Sequence, residues 1–179
     1  MTVRLNPYLS FQDSAREAMT FYQSVLGGEL TVSTFGEFQA SQDPAEQDKV
    51  MHSQLETSDG LVLMAADTPN AMESRPQSGV SVSLSGDDED KLRGYWNQLS
   101  DGGAVVMPFE QAPWGAVFGM CVDRFGTSWM VNAGVGLLGV DHEANSDRAE
   151  AAGLAVARSD DLWGGLGLHE DSPFDEQDV

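Results

Sequence analysis

One cysteine, nine lysines and arginines together, and no long apolar run set the first limits on this chain of 179 residues. The lone Cys121 can make no internal disulfide and offers no Cys-x-x-Cys metal site; its place in an apolar strand pattern marks it for packing. Nine basic residues against 29 acidic ones leave a net charge of −20. That balance argues against nucleic acid, whose binding is driven by Lys and Arg displacing counterions from phosphates, and against anionic membrane surfaces. No stretch approaches the roughly 18 apolar residues that span a bilayer, and the opening MTVRLNPYLS lacks the basic and apolar regions of a secretory signal. A soluble cytoplasmic protein with a solvated acidic surface is expected. Walker loops, GxSxG elbows and glycine-rich strand-to-helix turns are also missing, so neither phosphate cradling nor a serine nucleophile is signalled.

What the chain does have is order, repeated. NPYLSF alternates Asn6, Tyr8 and Ser10 with Pro7, Leu9 and Phe11, the period of a strand with one apolar face. DSAREAMTFYQSVLGG then changes to a helical period. Asp13 or Ser14 can cap this helix, Ala18, Phe21, Tyr22, Val25 and Leu26 form its apolar stripe, and Gly27 and Gly28 end it. Three strands are predicted next, in ELTVSTF, KVMHSQLE and LVLMAA, the last two joined through TSDG as a hairpin. The same order returns as a strand in GVSVSLSGDD, a helix in DDEDKLRGYWNQLSDGG and strands in AVVMPF, AVFGMCVD and TSWMVN. Overlaying Asp13 on Asp87 places Phe21 and Tyr22 over Tyr95 and Trp96, a repeat of about 74 residues. The expected fold is therefore α+β: two tandem β-α-β-β-β modules, residues 3–68 and 78–134, forming a curved eight-stranded sheet with a concave cavity and helices on the convex side. An acidic extension, 135–179, follows.

The stretches NPYLSF, AREAMTFYQSVLGGEL, VMHSQLE, LVLMAAD, GVSVSLS and PWGAVFGMCVDRFGTSWMVN together resemble the vicinal oxygen chelate superfamily of glyoxalases, bleomycin-resistance proteins and extradiol dioxygenases, and within it the PhnB-like branch. One departure is Arg124, where the branch usually has proline; a change confined to the turn is expected. The resemblance implies a homodimer and four metal positions on the concave face, which fall here on Asn6, Met64, Ser81 and Met130. Two thioethers, a hydroxyl and an amide make a poor site for Mn, Fe, Ni or Zn, so neither a metal nor another cofactor is expected.

Parity places Asn6, Tyr8, His52, Gln54, Val62, Met64, Ser81, Ser83, Met130 and Asn132 on the concave face, with Trp114 and Phe118 arriving from PWGAVFG. Trp129 and Val131 go to the core. Such a face suits a small, partly apolar organic ligand; the same Met and Phe side chains can instead fill a core or line a contact between copies. His52, with Gln54 and Glu56 on its face, is a candidate general base with Glu56 or part of an offset metal site, or else a partly exposed strand histidine bonded to a neighbour. His142 and His169 read as surface residues. Three functional readings follow: a ligand-binding PhnB-like protein without metal, a metal-dependent lyase, isomerase or dioxygenase using His52 and Glu56, and an interaction module with an acidic tail. Whether there is catalysis stays open at this point. In the tail, SDRAEAAGLAVARS is a short helix candidate capped by Ser146, and Trp163 with Leu162, Leu166 and Leu168 is an apolar segment able to dock on the body or a second subunit.

Overall fold

Burial alternates along strand β1 (Tyr8–Phe11), with Leu9 and Phe11 inside and Tyr8 and Ser10 outside, so the period of two in the sequence is realised from Tyr8 onward. Asn6 and Pro7 precede the strand. The computed structural model describes residues 3–72 and 79–134; the tail helix, the Trp163 segment, His142 and His169 lie outside the described residues.

Helix α1 (Ala15–Leu26) buries Ala15, Ala18, Met19, Tyr22 and Val25 on one stripe and stops at Gly27, whose positive φ of 74° turns the chain out. Its Ser14 makes no side-chain cap. Asp67 does that work from the far end of the module, accepting from Ala15 N and Val50 N at 2.9 Å each. Strands β2 (Glu29–Thr34), β3 (Val50–Glu56) and β4 (Val62–Asp67) follow, with a 3₁₀ turn at Pro44–Glu46 inside the loop between β2 and β3.

The second module repeats the plan with β5 (Val82–Gly86), α2 (Glu89–Ser100), β6 (Ala104–Gln111), β7 (Val117–Val122) and β8 (Ser128–Ala133). Leu92, Trp96 and Leu99 form the buried stripe of α2, and Asp88 caps it by accepting from Lys91 N. In GVSVSLS the apolar residues Val80, Val82 and Leu84 alternate with Ser81, Ser83 and Ser85, yet Val80 lies before β5 and is 78 % exposed, and Ser81 also precedes the strand.

The eight strands divide into two four-stranded sheets ordered β1-β4-β3-β2 and β5-β8-β7-β6. In each, the first strand runs parallel to the last and the remaining pairs are antiparallel. The parallel pair needs a long connection, made here by the helix and the two strands that follow it, and each antiparallel pair joins strands consecutive in the chain. One apolar core joins the modules: Tyr22 of α1 meets Trp129 of β8 edge-on at 5.4 Å between ring centroids. Trp129 is 1 % exposed and Val131 fully buried, as their parity predicts. Cys121 is buried too, and burial with the nearby Asp123 charge pushes its thiol up to about 11.

The turn DRFG closes β7 onto β8 through Asp123 N to Thr127 O (2.9 Å) and Gly126 N to Asp123 O (3.0 Å), with Gly126 at a φ of 86°. Arg124 does more than adjust that turn. Its Nη2 donates to the Asp101 carbonyl (2.9 Å) and carboxylate (3.0 Å), and its guanidinium lies 4.8 Å from the Phe21 ring centre, linking α1, the end of α2 and the turn.

Candidate functional site

Because α1 and α2 cover one face of each sheet, the side chains of opposite parity are left on the other. In the first sheet these residues form cross-strand rows: Tyr8 beside Met64, Met64 beside Gln54, and Gln54 beside Thr31. His52 stands one row along, opposite Ser33. Extending the β3–β4 register by one pair sets Ala66 beside His52, on the face that Met64 shares. A methyl group at that position lets the long Tyr8 side chain cross β4. Its hydroxyl comes within 3.2 Å of His52 Nδ1, and the two rings stack with centroids 5.8 Å apart and planes 29° from parallel. Tyr8 stays 51 % exposed, yet partial burial raises its hydroxyl above the usual 10.0, so the phenol keeps its proton at neutral pH.

Gln54 and Glu56 make a second pair on the same strand and face. Gln54 Nε2 donates to Glu56 Oε1 at 2.6 Å, and Glu56 is exposed, with Glu29 as its strand partner. The structure thus brings Tyr8 to His52 and Gln54 to Glu56. His52 and Glu56 it does not bring together: four residues of extended strand set their Cα atoms roughly 13 Å apart.

In the second sheet, Ser83, Met130, Met120 and Met107 form one row and Ser85, Asn132, Phe118 and Glu110 the next. Met130 is half-buried. Asn132 is only 1 % exposed and donates to the Gly134 carbonyl at 3.2 Å; Phe118 is buried beneath Trp114, which meets it edge-on at 5.7 Å and is itself 43 % exposed. Trp114 and Phe118 therefore form an aromatic pair, while the Asn132 amide is engaged. Thr31, Ser33, Ala66 and Met120 share these faces and were not singled out from the sequence, although strand parity alone could have found them.

Of the four positions at which the resemblance implies metal ligands, Met64 pairs with Tyr8 and Met130 with Ser83 and Met120, while Asn6 and Ser81 precede their strands. Among the described residues, no three His, Cys, Asp or Glu side chains gather into a group able to hold a metal ion. A separate apolar cavity of ≈ 150 Å³, lined by Leu26, Leu55, Leu63, Val82, Leu84 and Trp129, includes neither Tyr8 nor His52. No helix of the described residues is long and apolar enough to cross a membrane.

Tandem β-α-β-β-β modules, each with a helix on one face and a mixed polar and thioether face opposite, define a protein of the glyoxalase and bleomycin-resistance fold. The model of the family described as 3-demethylubiquinone-9 3-methyltransferase matches residues 3–132, and the chain belongs to that family. It is 39 % identical to protein PA1353 from Pseudomonas aeruginosa, a solved structure matched over 74 % of this chain and 98 % of that one with a TM-score of 0.66. Protein YjdN of Escherichia coli K12 is 28 % identical over 139 residues, 72 % of this chain and 93 % of YjdN. A solved structure from Bacillus cereus, described as a putative 3-demethylubiquinone-9 3-methyltransferase, PhnB protein, shares the fold at 23 % identity and a TM-score of 0.58, covering 74 % of this chain and all of that one.

Proposed function

We propose that this PhnB-like protein binds a small organic molecule on the face of its first sheet opposite α1, without a metal at the superfamily positions. The observation that carries this reading is the Tyr8–His52 pair: two stacked, hydrogen-bonded rings from strands on either side of β4, on a face that no helix of the described residues covers. Stacked rings beside Met64 and the Gln54 amide give such a ligand apolar contact and directional hydrogen bonds together. On the second sheet, Trp114, Phe118 and Met130 are the corresponding apolar contacts, with Asn132 holding the strand end beneath them.

Metal-free binding is supported by the donor chemistry at Asn6, Met64, Ser81 and Met130, none of which is a carboxylate or an imidazole. Methyl transfer, the activity in the family's description, needs a site for a methyl donor. The connections into the helices are Gln12–Ser14 and Asp87–Asp88, neither of them the glycine-rich turn of a nucleotide-type cofactor site. Binding, as in sequestration of a toxic compound, is accordingly preferred to methylation. A homodimer that completes the binding face belongs to this proposal and is checked by light scattering of the eluted protein.

The test is a screen of small aromatic and carbonyl compounds by chemical-shift perturbation, beside elemental analysis after incubation with Mn, Fe, Ni, Co and Zn. Hits that perturb Tyr8, His52, Gln54 and Met64 and are lost in His52→Ala support the reading. A stoichiometric metal that disappears in His52→Ala overturns its metal-free part, and hits confined to the apolar cavity overturn its location.

A further inference from the structure

Which ring nitrogen of His52 carries the proton decides what this face offers a ligand, and Tyr8 touches only one of the two. We propose that Tyr8 is a positioning residue that fixes neutral His52 as its Nε2–H tautomer, making the face a hydrogen-bond donor toward a carbonyl or oxyanion oxygen; the ligand class rests on the binding site proposed above. The contact is between the Tyr8 hydroxyl and Nδ1, at 3.2 Å. Two arrangements satisfy it: Tyr8 O–H donating to a bare Nδ1, or Nδ1–H donating to the phenol oxygen. The first is stronger, because a phenol is a good donor whose oxygen lone pair is drawn into its ring, whereas an unprotonated imidazole nitrogen is a good acceptor. Burial acts in the same sense by keeping Tyr8 in its protonated form.

With Nδ1 accepting, the proton of the neutral ring sits on Nε2, which diverges from Tyr8 and faces away from the contact. His52 then has no free ring lone pair. A general base and a metal ligand both require one, so the two roles that a strand histidine suggests are closed while Tyr8 is in place. The neighbouring pair sharpens the ligand class. A carboxylate only accepts, so the Gln54 atom bonded to Glu56 is its nitrogen, which leaves the Gln54 carbonyl oxygen as an acceptor on the same face. The donor at His52 and the acceptor at Gln54 stand two residues apart on one face of β3. The matching ligand carries an acceptor oxygen and a hydroxyl or amine donor.

The experiment is a long-range ¹H–¹⁵N spectrum of the histidine rings in the full-length protein above about pH 8, where an ordinary imidazole is neutral, with His52 assigned by His52→Gln. The expected result is a pyridine-type Nδ1 and a pyrrole-type Nε2, moving toward a mixed signature in Tyr8→Phe while the backbone spectrum stays folded. A pyrrole-type Nδ1 in the unmodified protein overturns the proposal without recourse to any variant, and so does a His52 signature that Tyr8→Phe leaves unchanged. If the tautomer is as stated but the compound screen finds no hit sensitive to His52, the positioning role of Tyr8 stands and the ligand-binding reading fails.

Discussion

The hydroxyl of Tyr22, on α1 in the first module, donates to Asp123 Oδ2 at the head of the last turn of the second, 2.7 Å away and 101 residues along the chain. The same hydroxyl lies 2.9 Å from Thr127 Oγ1. Asp123 also accepts from Trp129 Nε1 (2.8 Å), Phe125 N (2.8 Å) and Thr127 N (3.0 Å), so one buried carboxylate shapes the turn and ties the modules together.

Removing the Tyr22 hydroxyl deletes a bond to a charged acceptor. Tyr22→Phe is expected to lower stability by about 1.5–3 kcal/mol, read as a fall in the urea midpoint. Asp123→Ala leaves the indole and two backbone N–H groups without their acceptor and should prevent soluble expression. An Asp123→Ala protein as stable as Tyr22→Phe would show that the carboxylate does not hold the turn.

Tyr22 also gives a pH dependence. Burial first, and the Asp123 charge second, raise its hydroxyl far above the ordinary 10.0. A raised acid in the folded state contributes stability that is whole below the unfolded value and wanes as pH climbs past it, because only the unfolded tyrosine ionises. The stability gap between the unmodified protein and Tyr22→Phe should therefore be constant up to about pH 9.5 and narrow beyond it. A gap that widens with alkali would reverse the assigned direction.

Cys121 follows the same sign in a lower window. Its thiol rises from 9.0 to about 11, so its contribution is intact below pH 9 and lost as pH rises toward 11. Stability curves of Cys121→Ala and the unmodified protein should draw together across that interval. A thiol reagent at about pH 8 should leave the native protein untouched and label one thiol per chain in denaturant; prompt native labelling would contradict the burial of Cys121.

Gly28 has a φ of 93°, and a Cβ there would run into the Glu56 carbonyl. Gly28→Ala therefore combines left-handed strain with a backbone clash. The expected cost is about 2–4 kcal/mol, measured by thermal unfolding. Gly60→Ala, with φ 82° and open space at its Cβ position, should cost less, and equal effects at the two positions would remove the clash from the explanation.

Periodicity carried most of the fold. Leu9, Phe11, Leu55, Leu63, Trp129 and Val131 are buried where alternation places them, and the repeat of Tyr22 and Trp96 on the two helix stripes marks the tandem modules. The same parity put Tyr8, His52, Gln54 and Met64 on one face. What it does not encode is side-chain reach. Nothing in the spacing of Tyr8 and His52 shows that Ala66 leaves a path between them, nor that Asp67 caps Ala15 across 52 residues. Val80 had an apolar residue's claim to the core, but the strand starts two residues later. Val105 and Val106 lie on the edge strand β6 and remain exposed despite their composition.

Asp67 and Asp123, both buried, also break the equivalence of the halves. Asp67 serves the helix of its own module, whereas Asp123 receives a tyrosine from the other. A chain assembled from two copies of the first half would offer Tyr22 no Asp123 carboxylate, and one assembled from two copies of the second would have an Asp123 without its phenol. The duplication is visible in the pattern, but its parts are no longer interchangeable: each half has become the other's template.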